Sequence, residues 1–154
     1  DYFLDRLLAH GTTTAAVFST VHAGSVDAFM AGAEKRRLRM LTGKVMMDRH
    51  APPALCDTVA DAERDCVALI ERWHGKGRLR YCVTPRFAPT STPAQLTLAG
   101  ELYRSKPDLH VQSHLAENPD EIAWVKSLFP EGPVGFRHQM RSGTDYRYNF
   151  YFSR

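Results

Sequence analysis

The stretch "LRYCVTPRFAPTSTPAQLTLAGELYRSKPDLHVQSHLAEN" (residues 79–118) sets a helical run between two strand-like ones. "LRYCVTPRF" (79–87) is apolar and β-prone, and Pro85 ends it. "TPAQLTLAGELYR" (92–104) opens with Thr92, Pro93 and Gln95, a capping box with proline at the first helical position. "LHVQSH" (109–114) is a second strand; it finishes on His114, and Glu117 follows three residues later. Two strands joined through a helix run parallel, with a right-handed crossover.

The same alternation extends towards both ends of the chain. Upstream, "GTTTAAVFSTV" (11–21) and "RMLTGKVMM" (39–47) read as strands. "SVDAFMAGAEKRRL" (25–38) reads as a helix with Ser25 as its N-cap and a basic end. In "TVADAERDCVALIERWHGKG" (58–77), Val59, Ala62, Cys66, Leu69, Ile70 and Trp73 recur at helical spacing, and Gly75 and Gly77 close the segment. Downstream, "NPDEIAWVKSLFP" (118–130) is a helix capped by Asn118, with Pro119 at its first position and acids in its first turn. With an amphipathic helix at the start, the order is four βα units of about 30 residues each. The expected fold class is α/β with parallel strands, either part of a doubly wound sheet or half of an eight-fold barrel. Both architectures place chemistry at the carboxyl ends of the strands, here Met47 and Asp48, then Thr84 to Phe87, then Ser113 and His114.

Composition narrows the function class. The 154 residues are 44% hydrophobic and 24% charged, a soluble globular balance. No apolar run approaches the roughly 20 residues a membrane span needs, and no leader precedes the first helix. Cys56, Cys66 and Cys82 form no CxxC pair and no disulfide framework, which suits buried thiols in a reducing cytoplasm. Residues 1–131 balance 16 Lys/Arg against 16 Asp/Glu, and the tail 132–154 carries four arginines and one aspartate. The body therefore offers nucleic acid and membranes no electrostatic footing. The tail, with six of the 16 aromatics, is expected to lie outside the α/β body. A shifted reading frame accounts for it better than a segment that stacks on single-stranded nucleic acid.

Strand-end residues carry the candidate chemistry. His114 could ligate a metal through a neutral imidazole nitrogen, or simply satisfy a backbone group. Glu117 could serve as general base and acid beside a metal-activated water, or be an acid favoured by the helix dipole. Arg86 offers a donor fork for a carbonyl or carboxylate, unless it pairs with an acid across a loop, and Phe87 offers a ring face. Histidines 10, 22, 50, 74, 110 and 138 show no ligand pairing, and no HxH or HExxH occurs, whereas a catalytic zinc needs about three protein ligands.

Five stretches carry a resemblance: "HGTTTA" (10–15), "GKVMMDRHAP" (43–52), "ALIERWHGKGRL" (68–79), "TPRFAPTSTPAQL" (84–96) and "VQSHLAENPDEIAWVKSLFPE" (111–131). Together they resemble the guanine deaminases of the amidohydrolase superfamily. The resemblance implies that residues 1–131 are the second to fifth βα units of a (β/α)8 barrel. It implies one catalytic zinc and hydrolysis of guanine to xanthine and ammonia. His114 looks like the zinc ligand from the fifth strand, Glu117 like the proton shuttle, Arg86 like the purine-reading arginine and Phe87 like its neighbour in the guanine pocket. The family's HxH, on the first strand, and its next zinc histidine, on the sixth, have no counterpart here. Its zinc aspartate sits in a "GTD" after the eighth strand. Asp145 lies in "SGTD", about one βα unit past His114 rather than three, and reads as coincidence. The chain by itself is therefore expected to be inactive. An amidohydrolase for another heterocycle and a non-catalytic α/β domain stay open, as does whether the complete enzyme is a homodimer.

Overall fold

The computed structural model describes residues 1–130. Helix α1 (Tyr2–Ala9) leads into strand β1 (Thr14–Phe18), helix α2 (Ala23–Lys35), and strands β2 (Arg39–Gly43) and β3 (Val45–Met46). Then follow α3 (Val59–Trp73), β4 (Arg80–Pro85), α4 (Pro93–Ser105), β5 (His110–Val111) and α5 (Pro119–Leu128), with single 3-10 turns at Pro53–Leu55 and Ala88–Thr90. All strand pairs are parallel: β1 with β2, β2 and β3 with β4, and β4 with β5. Spatial order thus follows chain order, and it never reverses. A doubly wound sheet needs such a reversal. Without one, right-handed crossovers lay every helix on the same face, which makes this sheet a partial (β/α)8 barrel.

The core lies between that sheet and its helices. Val26, Met30 and Ala33 of α2, Ala62, Cys66, Leu69, Ile70 and Trp73 of α3, and Leu98, Ala99 and Leu102 of α4 meet Met40, Tyr81 and Val83 from the strands. The α3 set matches the spacing read from the sequence, with Val59 only partly buried. Between α2 and α3, the Asp27 carboxylate accepts from Trp73 Nε1 and from Arg72, each at 2.6 Å. On β4, Tyr81 and Val83 face the helices, so Cys82 and Thr84 turn to the opposite face.

Two expected caps are present, Thr92 and Asn118, and Thr58 is a third that was not read from the sequence; each accepts the amide three residues on. Ser25 is not a cap, because α2 begins two residues earlier with His22 in that place. The Ser25 hydroxyl instead donates to the His22 carbonyl and sits within reach of Ser19 and Thr20. The reciprocal half of the box at Thr92 is also unmade, since the buried Gln95 side chain has no partner among the described residues.

The segment 39–47 is two strands. At the break, the Lys44 amide leaves the ladder and donates to the Tyr81 hydroxyl at 3.2 Å, while the Lys44 ammonium, 1% exposed, pairs with Asp57. Gly43 precedes the break where the chains touch: a Cβ there would lie 1.8 Å from the Cys82 carbonyl oxygen. The final strand is shorter than residues 109–114, as ladder pairing covers only His110 and Val111. Beyond it the backbone still follows β4, through Gln112 N–H to Val83 O at 3.0 Å and His114 N–H to Arg86 O at 2.8 Å. The tail, with Asp145, lies outside the described residues.

Candidate active site

The rim at the carboxyl ends of the strands is built from three connections. After β3, Asp48 accepts from the Thr92 amide at 2.8 Å and the Thr92 hydroxyl at 2.5 Å. The Asp48 and Arg49 amides both donate to Thr90 O, and the Arg49 side chain donates to Pro89 O and Ala88 O. The loop after β3 is thereby stitched to the loop after β4. Arg86 continues the pattern, its amide donating to Met46 O at 3.1 Å.

The Arg86 carbonyl is the hub of the next connection. It accepts the His114 amide, and it lies 3.0 Å from His114 Nδ1. A carbonyl only accepts, so Nδ1 carries the proton and Nε2 presents its lone pair. Metal-binding imidazoles are commonly fixed this way, one nitrogen donating to a carbonyl and the other free to ligate. The two readings of His114 are thus compatible: one ring nitrogen satisfies the backbone, the other stays available. The Ser113 hydroxyl also approaches the Arg86 carbonyl, at 3.2 Å, but two lone pairs cannot serve three donors, and Ser113 reaches its alternative acceptor, His114 O, at the same distance.

The sheet curls enough to bring its first and last strands together at this end. The Phe18 ring packs 4.3 Å from the His114 ring, and Gln112 Nε2 donates to Val17 O and to Thr84 Oγ1, both at 3.1 Å. His114 is therefore fixed by a carbonyl on one side and an aromatic face on the other.

The other three predicted residues fall on the same rim. Arg86 is exposed and pairs with no acid among the described residues; its guanidinium lies over the Phe87 ring at 5.1 Å and near Met47 Sδ at 3.8 Å. Phe87 is half-buried and meets Trp124 edge-on, with centroids 6.0 Å apart. Glu117 is exposed, and its carboxylate makes no hydrogen bond or ion pair among the described residues. Two neighbouring strand ends therefore carry, among the described residues, an oriented imidazole and an unengaged carboxylate after β5 and a guanidinium without an acid partner beside a ring after β4.

Some rim residues were not legible as such. Trp124 stacks on His50 with centroids 5.3 Å apart, and the His50 ring bonds Pro89 O at 2.7 Å; these contacts span loops far apart in sequence and leave no local signal. Glu121 is buried, and its carboxylate accepts the amides of Ala116 and Glu117. Its signal was available: Asn118 and Glu121 have capping-box spacing.

Among the described residues, His114 Nε2 is the ligand that this rim would offer a metal. Among the described residues, no three His, Cys, Asp or Glu side chains cluster to hold an ion. The donor set fits one corner of a metal site and does not complete one.

The fold is a partial (β/α)8 barrel with an oriented imidazole at one strand end, and comparison with known proteins gives its family. Residues 2–140 match the Amidohydrolase family, and the chain belongs to it. It is 55% identical to the guanine deaminase of Escherichia coli over 140 residues, 90% of this chain and 32% of that protein. The solved structure of the Escherichia coli enzyme superposes with a TM-score of 0.83 over 84% of this chain and 30% of the other. Guanine deaminase from C. acetobutylicum, solved with guanine in its active site, gives a TM-score of 0.81 at 31% identity over 88% of this chain and 34% of that one. A mutant atrazine chlorohydrolase from Arthrobacter aurescens, solved with zinc and atraton, matches in fold alone, with a TM-score of 0.74 at 19% identity over 84% of this chain and 31% of the other. The chain spans about a third of the length of the relatives it matches.

Proposed function

We propose that residues 1–131 supply the central strands of a zinc-dependent guanine deaminase, with His114, Glu117, Arg86 and Phe87 as its share of the active site. The observation that carries this reading is the Arg86 carbonyl, which sets the His114 ring with Nε2 free. The same residue, Arg86, turns its guanidinium to the rim. Identity of 55% to a guanine deaminase over 140 residues supports the choice of substrate.

Zinc, when bound, supplies a Lewis acid that makes water a competent nucleophile near neutral pH. His114 Nε2 is the ligand this chain offers. Glu117 takes a proton from the attacking water and returns it to a ring nitrogen of the purine. Water thus adds at C2, the remaining hydroxyl proton passes to the exocyclic amine as the C2 carbonyl forms, and the C2–N bond breaks to release ammonia and leave xanthine. Positioned proton transfer of this kind contributes about 10²–10⁴-fold to rate. Arg86 donates to the purine edge and holds C2 at attack distance, an orientation effect, while Phe87 covers a face of the planar ring.

The test is substrate turnover by the complete protein that carries this segment. Guanine is hydrolysed in preference to adenine and cytosine by at least about 10²-fold, the discrimination a site built on hydrogen bonds readily gives. Equal or better turnover of either competitor would assign the site to another heterocycle. The 154-residue chain alone releases no xanthine above a protein-free control, because it offers one zinc ligand among its described residues.

A further inference from the structure

Glu121 is a carboxylate only 8% exposed, in the first turn of a surface helix. A charge so buried needs polar partners. It takes them from the backbone: Oε1 accepts the Ala116 amide at 2.9 Å and Oε2 the Glu117 amide at 3.0 Å. Its own amide donates to Asn118 Oδ1 at 2.9 Å. In an ordinary capping box the returning carboxylate binds the amide of the cap residue itself. Here it passes the cap and seizes the two amides upstream of it, inside the turn that joins His114 to α5.

That turn is strained. Ala116 has φ = +51°, a left-handed conformation that crowds the Cβ of a non-glycine residue against the following carbonyl. Successive amides around a left-handed residue form a concave nest for an anion. Glu121 fills that nest and holds Ala116 in place. The short segment 114–117 is consequently pinned at both ends: His114 by its amide and ring on the Arg86 carbonyl, Glu117 by its amide on Glu121. The Glu117 side chain itself touches no polar partner among the described residues, so its position comes from its backbone.

We propose that Glu121 is the positioning residue of this site: its carboxylate fixes the turn that sets Glu117 against His114. It acts through Glu117 and touches neither substrate nor metal. This rests on the reading of Glu117 as proton shuttle, and two experiments separate the failure of one from the failure of the other.

The first uses the 154-residue chain and needs no activity. In Glu121→Ala, amide hydrogen exchange at Ala116 and Glu117 accelerates at least about tenfold relative to amides in the middle of α5, as expected for local opening. Unchanged protection of both amides overturns the clamp. The second uses the complete protein. Glu121→Gln keeps one acceptor oxygen and loses the other. Its kcat falls about 10- to 100-fold, the scale of a displacement near 1 Å, while KM for guanine and zinc content stay at wild-type values. Adding Glu121→Gln to Glu117→Gln lowers kcat no further, since a positioning residue has nothing left to position. Unchanged kcat, joint loss of zinc and activity, or additive losses in the double variant each overturn the proposal. Full activity of Glu117→Gln alone instead removes the shuttle reading, and the exchange result then still decides whether Glu121 holds the turn.

Discussion

β4 is hydrogen-bonded on both flanks, by β2 and β3 on one side and β5 on the other, whereas β5 pairs with β4 alone among the described residues. The strand ends differ accordingly. At the end of β4, Arg86 and the following loop are tied to the β3 loop through Asp48, Arg49 and Thr90. Beyond β5, His114 is held by the Arg86 carbonyl and the Phe18 ring, and Glu117 by a single carboxylate of α5. Arg86 and Phe87 thus sit on the finished centre of the sheet, and His114 and Glu117 sit towards its last strand. A partial barrel carries its site in unequal states of completion, and the contrast can be broken at either strand.

The largest effect belongs to the centre. Gly43→Ala drives a methyl group into the Cys82 carbonyl where β2 meets β4. Overpacking costs about 1–3 kcal/mol where neighbours yield, and a backbone carbonyl in a paired strand yields poorly. The variant is expected to lose about 3 kcal/mol or more, read as a shift in the urea midpoint. At the edges, unpaired strands invite a second chain. The 154-residue chain should show a concentration-dependent mass in sedimentation, and Ala16→Lys on exposed β1 should move it towards the monomer.

Smaller effects probe the helix layer that supports the centre. Burial pushes the Asp27 carboxyl up, but bonds from Trp73 and Arg72 outweigh it and leave its pKa below the usual carboxylate value. A depressed acid stabilises the fold above its unfolded pKa and loses that contribution as pH falls through the folded value. Asp27→Asn should therefore cost about 1 kcal/mol at pH 7, with the difference from wild type vanishing in acid. Buried thiols, Cys66 in the helix layer and Cys82 on the other face of β4, report from the alkaline side. Burial raises Cys66 to about 11 and Cys82 to about 12, both from 9.0. These thiols stay protonated in the fold while the unfolded chain ionises, so stability should decline as pH rises above 9. In the native state at neutral pH, an aromatic disulfide reagent should modify the half-buried Cys56 well before either buried thiol.

What was legible in the sequence was local. The period in 59–73 gives the buried face of α3, and Thr92 and Asn118 cap because a short polar side chain precedes each helical run. Ser25 misled for the same reason: it is a good cap residue, yet the helix starts before it and its hydroxyl donates to the carbonyl of His22, the residue in the cap position. Non-local features stayed hidden. Nothing in "RMLTGKVMM" shows a break at Lys44, because the group that takes its amide is the Tyr81 hydroxyl, 37 residues on. Motif resemblance and strand-end placement point to His114, Glu117, Arg86 and Phe87 as the candidate site. Glu121 was passed over because a first-turn acid already has an ordinary explanation in the helix dipole.

The central claim is that this rim is the zinc-and-proton corner of a guanine deaminase, and Glu117→Gln in the complete protein tests it most directly. The substitution keeps size and polarity but removes the base. The account predicts that guanine turnover falls at least about 10²-fold while bound zinc, measured on the same sample, stays at the wild-type ratio. Turnover that is unchanged with zinc retained would contradict it.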